Sequence, residues 1–232
     1  MTKFAAAILA ALSLVGCAYK VEPQAQPAVN IYTTYEDKLP GNYVFVADDS
    51  LKNVKREVKP SSYVCSAMSY PTDIGPSLVA SLNSTLQKVA DNVQVAETGV
   101  SVEKISADSQ QRVVFVRLDS FSPRLSCSPG FFEGYCTASA DMSLGVTVTG
   151  PGGRLFSSSV GSSRTADGGS GSACDGGAKV LSQAIELTMR DTMERMAERL
   201  SASTKLRDQP QLDKIVPAAG KAREQQVKMV NK

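Results

Sequence analysis

Thr137-Ala138-Ser139-Ala140-Asp141-Met142-Ser143-Leu144-Gly145-Val146-Thr147-Val148-Thr149 alternates almost without fault. Ala138, Ala140, Met142, Leu144, Val146 and Val148 fall on one face, and Thr137, Ser139, Asp141, Ser143, Thr147 and Thr149 on the other. Successive side chains of a strand point to opposite faces, so this reads as an antiparallel strand with one buried and one solvated face. Gly150-Pro151-Gly152-Gly153 then reads as a hairpin turn, and the Ser-rich run Leu155 to Thr165 as the returning strand. Upstream, Arg112 to Leu118 is strongly β-like through Val113, Val114, Phe115 and Val116.

Farther out, Tyr43 to Ala47 is a short apolar β-like run that ends in the turn Asp48-Asp49-Ser50. A second extended stretch is expected through Ser62 to Met68, stopped by Pro71. Two helices are expected. In Asp73 to Val93, Leu78, Leu82, Leu86, Val89 and Val93 recur on one helical face, with Pro76 in the first turn and Thr72 or Asp73 as the cap. In Ala178 to Leu200, the stripe is Leu181, Ile185, Thr188, Thr192, Met196 and Leu200, widened by Ala184, Met189 and Met193. Glu194, Arg195, Glu198 and Arg199 lie toward the exposed side, and a strand is expected to begin near Val93 to Ala96. Residues 97–111 and the Gly-rich run 167–177 read as connections. The fold class is therefore α+β: an antiparallel sheet of about four strands with two amphipathic helices packed on one face.

The 232 residues carry 25 Lys+Arg and 23 Asp+Glu, a net charge of +2, which gives no reason to expect a nucleic-acid partner. There is no His, which removes the commonest general base and zinc ligand, and with them any Ser-His-Asp or Cys-His mechanism within this chain. No GxSxG is present, and GGSGSACDGG before the second helix matches no phosphate-binding pattern. A non-enzymatic role is expected, with no metal and no cofactor.

The N-terminus reads MTKFAAAILAALSLVGC. Lys3 is a positive n-region, and Phe4 to Val15 is an apolar run broken only by Ser13. A bilayer span needs about 20 apolar residues, so this run fits a signal-peptide core instead. Leu14-Val15-Gly16-Cys17 resembles the lipobox of bacterial lipoproteins. The resemblance implies that Cys17 is lipid-modified and becomes the first residue of the mature chain. With Ala18 rather than Asp after it, it also implies outer-membrane anchoring, with the body facing the periplasm. The covalent lipid on Cys17 is then the only attached group expected, and several acyl chains make such anchoring stable.

The expected domains are a signal peptide at 1–16, the lipidated Cys and a flexible tether at 17–41, a single α+β domain at 42–204, and a poorly ordered tail at 205–232. The tether rests on Pro23, Pro27, Pro40 and Gly41. The tail rests on seven Lys+Arg against three Asp+Glu, with Pro210 and Pro217 as breaks. The tail's charge also suits an anionic surface or an acidic partner.

Cys65, Cys127, Cys136 and Cys174 remain, an even number suited to an oxidising compartment. Three connectivities are possible. Cys127 and Cys136 flank a short loop that a bridge closes easily, which leaves Cys65 for Cys174 and ties together the two helix starts. No C-x2-C pair supports a thiolate metal site. Phe131, Phe132 and Tyr135 cluster in that loop and are the candidate partner contact.

The order lipobox, tether, strand, helix, meander, helix is similar in layout to YajG-type lipoproteins, the lipopolysaccharide-assembly lipoprotein and auxiliary lipoproteins of lipid-transporting ABC systems. This resemblance implies a membrane-anchored accessory or assembly lipoprotein that binds an envelope protein. The alternative reading is a lipid- or hydrophobe-binding carrier with its pocket between sheet and helices.

Overall fold

The computed structural model describes residues 17–33, 35–96, 111–130 and 134–208. The expected signal sequence at 1–16, most of the 97–111 connection, Phe131, Phe132 and the tail beyond Asp208 lie outside the described residues.

The chain forms β1 (Leu39–Ala47), α1 (Asp49–Lys52), β2 (Lys55–Val58), β3 (Tyr70–Asp73), α2 (Gly75–Val89) and β4 (Ala90–Val95). It continues through β5 (Arg112–Ser128), β6 (Tyr135–Gly150), β7 (Gly153–Gly169), α3 (Gly176–Ser201) and α4 (Thr204–Arg207). β5, β6 and β7 are the antiparallel meander read from the alternation, and they are longer than the pattern suggested, at 17, 16 and 17 residues. The even-numbered residues of β6 from Cys136 to Val148 are buried, and the odd-numbered ones from Ser139 to Thr149 are half-buried.

The sheet itself corrects the expectation of about four antiparallel strands. It is mixed and five-stranded, in the order β4-β1-β5-β6-β7, with a separate two-stranded sheet of β2 and β3. β1 runs parallel to both β4 and β5. Parallel neighbours need a crossover, and α2 supplies it by carrying the chain back so that Ala90 starts beside Leu39. Tyr43, Val44 and Phe45 are all buried, as a strand covered on both faces requires.

Three further expectations are corrected. Ser62 to Met68 is not extended: it makes tight turns, with Ser66 N–H donating to the Tyr63 carbonyl and Met68 N–H to that of Cys65. The strands lie on either side of it, in β2 and β3. The first helix stops at Val89, and its last expected turn is instead the start of β4. The N-cap position of α2 is Ile74 rather than Thr72 or Asp73, although the Asp73 carboxylate accepts from Gly75 N–H at 3.4 Å, and Pro76 opens the helix.

Both long helices lie on the apolar face of the sheet. Leu78, Leu82 and Leu86 of α2, with Leu181, Ile185, Met189 and Met193 of α3, are nearly or fully buried there. The Thr188 hydroxyl of α3 donates to its own helix at Ala184 and lies 3.0 Å from the Ala140 carbonyl of β6. Leu206 of α4 is fully buried, so the body runs on past residue 204 to include α4, whose last three residues were expected to belong to the tail.

Candidate functional site

Residues 17–33 do not form the flexible tether expected of them. They lie extended in the groove between α2 and α3, as a strap. Alternate backbone N–H groups make the contacts. Gln24 donates to Glu186, Gln26 to the Ser81 hydroxyl at 2.7 Å, Ala28 to the Thr85 hydroxyl at 3.0 Å, and Asn30 to Glu194 at 3.0 Å. Tyr32 N–H continues the series to Glu198. Two strap residues advance about 6.6 Å and four helical residues about 6 Å, so the extended chain keeps step with Ser81 and Thr85 of α2, while the long Glu side chains of α3 make up the difference on the other side. Pro23 and Pro27 fall between the donating positions, where a missing N–H costs nothing. Arg190 donates to Gln26 Oε1 at 2.6 Å, and Lys88 donates to the Ala28 carbonyl at 2.6 Å. Val21 and Ala28 are buried, and Ser81 and Thr85 are fully buried beneath the strap.

Ala28→Asp places a carboxylate in that groove, and burying an unpaired charge there costs about 2–3 kcal/mol or ejects the strap. Limited proteolysis should then cut within 18–33 while leaving the native chain intact at the same protease dose.

At the start of the strap, Ala18 and Val21 make parallel bridges to Ser69 and Thr72. Ser69 N–H donates to the Cys17 carbonyl at 3.2 Å, so Cys17 itself is held to the body. Cys17 is exposed and unbridged. Tyr19 stacks on Tyr70 with ring centroids 6.0 Å apart and donates to the Ala173 carbonyl.

The disulfides lie at the same end. Cys65 is bonded to Cys174, and Cys127 to Cys136. The sulfurs of Cys65, Cys127 and Cys136 lie within 4.8 Å of one another because the two bridges stack, and each sulfur already holds a covalent partner. Cys127 N–H donates to the Ser62 hydroxyl at 2.7 Å, and Tyr70, fully buried, donates to the Cys174 carbonyl at 2.6 Å. Of the aromatic candidates, Tyr135 is the first residue of β6 and is about half exposed, while Phe131 and Phe132 lie outside the described residues. Residue-type patterns did not mark Tyr63, which is 96% exposed on the 61–67 turn.

At the other end, Arg112 is buried at the start of β5. Its Nη1 lies 2.6 Å from the Tyr43 hydroxyl, 2.7 Å from the Leu206 carbonyl and 3.0 Å from the Pro40 carbonyl, and its guanidinium sits over the Tyr43 ring. One side chain thus joins β1, β5 and α4.

Burial holds the Tyr43 and Tyr70 phenols above the ordinary tyrosine range. A raised phenol pKa favours the neutral folded form, so this contribution is intact below the unfolded value near 10 and is lost as pH rises through the folded values. With no His in the chain, the melting temperature should be nearly flat between about pH 6 and 9 and fall above about pH 10. A pH series of thermal melts checks both parts.

The face of the sheet away from the helices carries hydroxyls. Ser143 pairs with Ser159 and Thr147 with Ser157 across β6 and β7, beside the ion pairs Arg117–Asp119 and Arg124–Asp141. Between sheet and helices, the space lined by Leu39, Tyr43, Leu86, Val114, Val148 and Leu200 holds about 10 Å³. That is room for one water at most, against the 300 Å³ or more of a typical ligand pocket. A depression of about 470 Å³ lies outside the core, bordered by Lys20, Lys55, Arg56, Glu57 and Asp73 and open to solvent.

The chain shares its fold with a solved bacterial protein. The crystal structure of a Xanthomonas campestris protein of the family DUF330 superposes with a TM-score of 0.50 at 11% identity, covering 82% of this chain and 99% of that one. A minor lipoprotein from Acinetobacter baumannii overlaps more loosely, with a TM-score of 0.37 and 9% identity over 69% of this chain and 90% of that one. No family model matches the sequence, and no curated protein matches it. At such identities the likeness is one of fold. No helix among the described residues is long and apolar enough to cross a membrane.

Proposed function

We propose that the protein is a lipid-anchored accessory of the bacterial cell envelope, attached through Cys17 and acting by binding an envelope protein rather than by catalysis. The observation that carries this reading is the position of Cys17. It is the last residue of the lipobox-like run, and it stands exposed with its carbonyl held to the body by Ser69. The outer membrane, with the body in the periplasm, is the location that Ala18 supports. The carrier alternative is disfavoured by the filled space between sheet and helices.

The helix-free face of β5, β6 and β7 is the broad surface available to a protein partner. Its hydroxyls are small and satisfied among themselves, which suits a flat polar contact. Crosslinking in intact cells, followed by purification from membranes, tests the reading. One dominant envelope protein should come with the native chain and be lost with Ser157→Arg/Ser159→Arg, two exposed positions, in a variant whose melting temperature matches that of the native chain. Absence of any partner above background, from a folded and membrane-bound chain, would contradict it.

A further inference from the structure

We propose that the disulfide end of the body rests directly against the bilayer surface, with Tyr63 in the headgroup layer and strands β5 to β7 standing away from it. The proposal rests on the lipid anchor at Cys17 and adds to it a fixed orientation and a second contact with the membrane.

Three observations lead there. The first is that no slack separates anchor from body. The Cys17 carbonyl is bonded to Ser69, Ala18 and Val21 bridge to the β3 region, and the strap beyond is held through to Tyr32. A lipid inserted at Cys17 therefore brings whatever surrounds Cys17 down to the membrane.

The second is what surrounds it. The turn 61–67, the ends of β5 and β7 and the start of α3 are drawn together by the two disulfides and by the Ser61 and Cys127 hydrogen bonds. The turn itself, with its flanks 60–71, holds no Asp, Glu, Lys or Arg; charges stand at its margin, in Glu57, which accepts from the Ser69 hydroxyl, Lys59 and the exposed Asp175 at the start of α3. Ser61, Ser66, Ala67, Ser128, Pro129, Ser172 and Ala173 are exposed. The far end, where β1 begins and the β6–β7 hairpin turns, has instead Glu36, Asp37, Lys38, Arg154, Lys205 and Arg207. An exposed turn tip without charge loses little when its water is displaced, whereas the far end, charged across its tip, would lose much.

The third is Tyr63. This tyrosine is 96% exposed on a turn held by the disulfide of Cys65. Amphipathic rings of this kind are enriched at headgroup depth, where one end is apolar and the other wet. With the 16 residues of β6 leading away from this end, the Gly150–Gly153 turn stands about 50 Å farther out.

The chain contains no Trp, so single-Trp variants report depth without background. Tyr63→Trp and Gly152→Trp, the latter at a turn position open to solvent, are purified from membranes as the full lipidated chain. They are reconstituted into phosphatidylcholine–phosphatidylglycerol vesicles containing acyl-brominated phosphatidylcholine. Intact mass first establishes the lipid on Cys17. The Tyr63→Trp emission should fall by about half or more relative to unbrominated vesicles, and the Gly152→Trp emission should be unchanged. A lipidated, folded chain whose Tyr63→Trp emission is unquenched would overturn the docking and leave the anchor standing. A chain without lipid on Cys17 would overturn the anchor and the docking with it.

Discussion

Replacing Cys65 and Cys174 together by alanine lowers the stability of the folded chain by about 5 kcal/mol, the largest loss expected from any two-residue change here. The bridge joins residues 109 apart in sequence. On the chain-entropy account, closing so long a loop in the unfolded state contributes about 5 kcal/mol, against about 3 kcal/mol for the short loop between Cys127 and Cys136. Cys65 and Cys174 both hold positive φ, at 61° and 67°, which costs an L residue about 1–2 kcal/mol. The backbone strain at these two positions is common to both chains, native and variant, and cancels in the difference. At 2–4 °C per kcal/mol for a body of this size, the melting temperature should fall by about 10–20 °C. Non-reducing thermal melts of the two double variants, Cys65→Ala/Cys174→Ala and Cys127→Ala/Cys136→Ala, check the ranking. Equal losses would show that loop closure is not what the long bridge contributes.

Arg112→Met should cost about 2–4 kcal/mol, with a drop of about 5–15 °C in the melting temperature. Methionine fills much of the same space, but it leaves the Leu206 and Pro40 carbonyls and the Tyr43 hydroxyl without their shared donor. Buried polar groups left unpaired cost more than the net value of the bonds they made. The effect is local as well as global: α4 should detach first. Hydrogen exchange at Leu206 and Asp208, whose N–H groups bond within that turn, should accelerate more than exchange in β5 and β6. A uniform change across the body would contradict that role.

The antiparallel half of the sheet was legible because β6 has one dry and one wet face, and a period of two records both. β1 was not, for the opposite reason. A strand covered on both faces shows only the run Tyr43 to Ala47, and such a run carries no information about its neighbours or their direction. β2 was hidden because Lys55-Arg56-Glu57 face solvent and only Val58 is buried. The strap could not be read from its own residues. It is held by backbone N–H groups, which every residue but proline has, and its prolines looked like those of a linker. The trace it leaves is on the partner helix. Glu186, Arg190, Glu194 and Glu198 repeat every four residues along α3, the same pattern that a solvated helix face shows. The two-bridge pattern was accessible through loop lengths, whereas the exposure of Tyr63 depends on turns that composition does not encode.

The strap changes what the proposed lipid anchor would do. A loose tether would let the body range over many orientations, and a bound strap fixes one. The groove that receives it is built from both helices. A partner that displaced the strap would therefore uncover Ser81 and Thr85 and release about twenty residues of reach.

The position of Cys17 underlies all of this, and the intact mass of the chain purified from bacterial membranes tests it most directly. A chain that begins at Cys17 and carries the added mass of covalent acyl groups on that residue is the predicted result. A membrane-derived chain that retains residues 1–16, or that begins elsewhere with Cys17 as a free thiol, would contradict it.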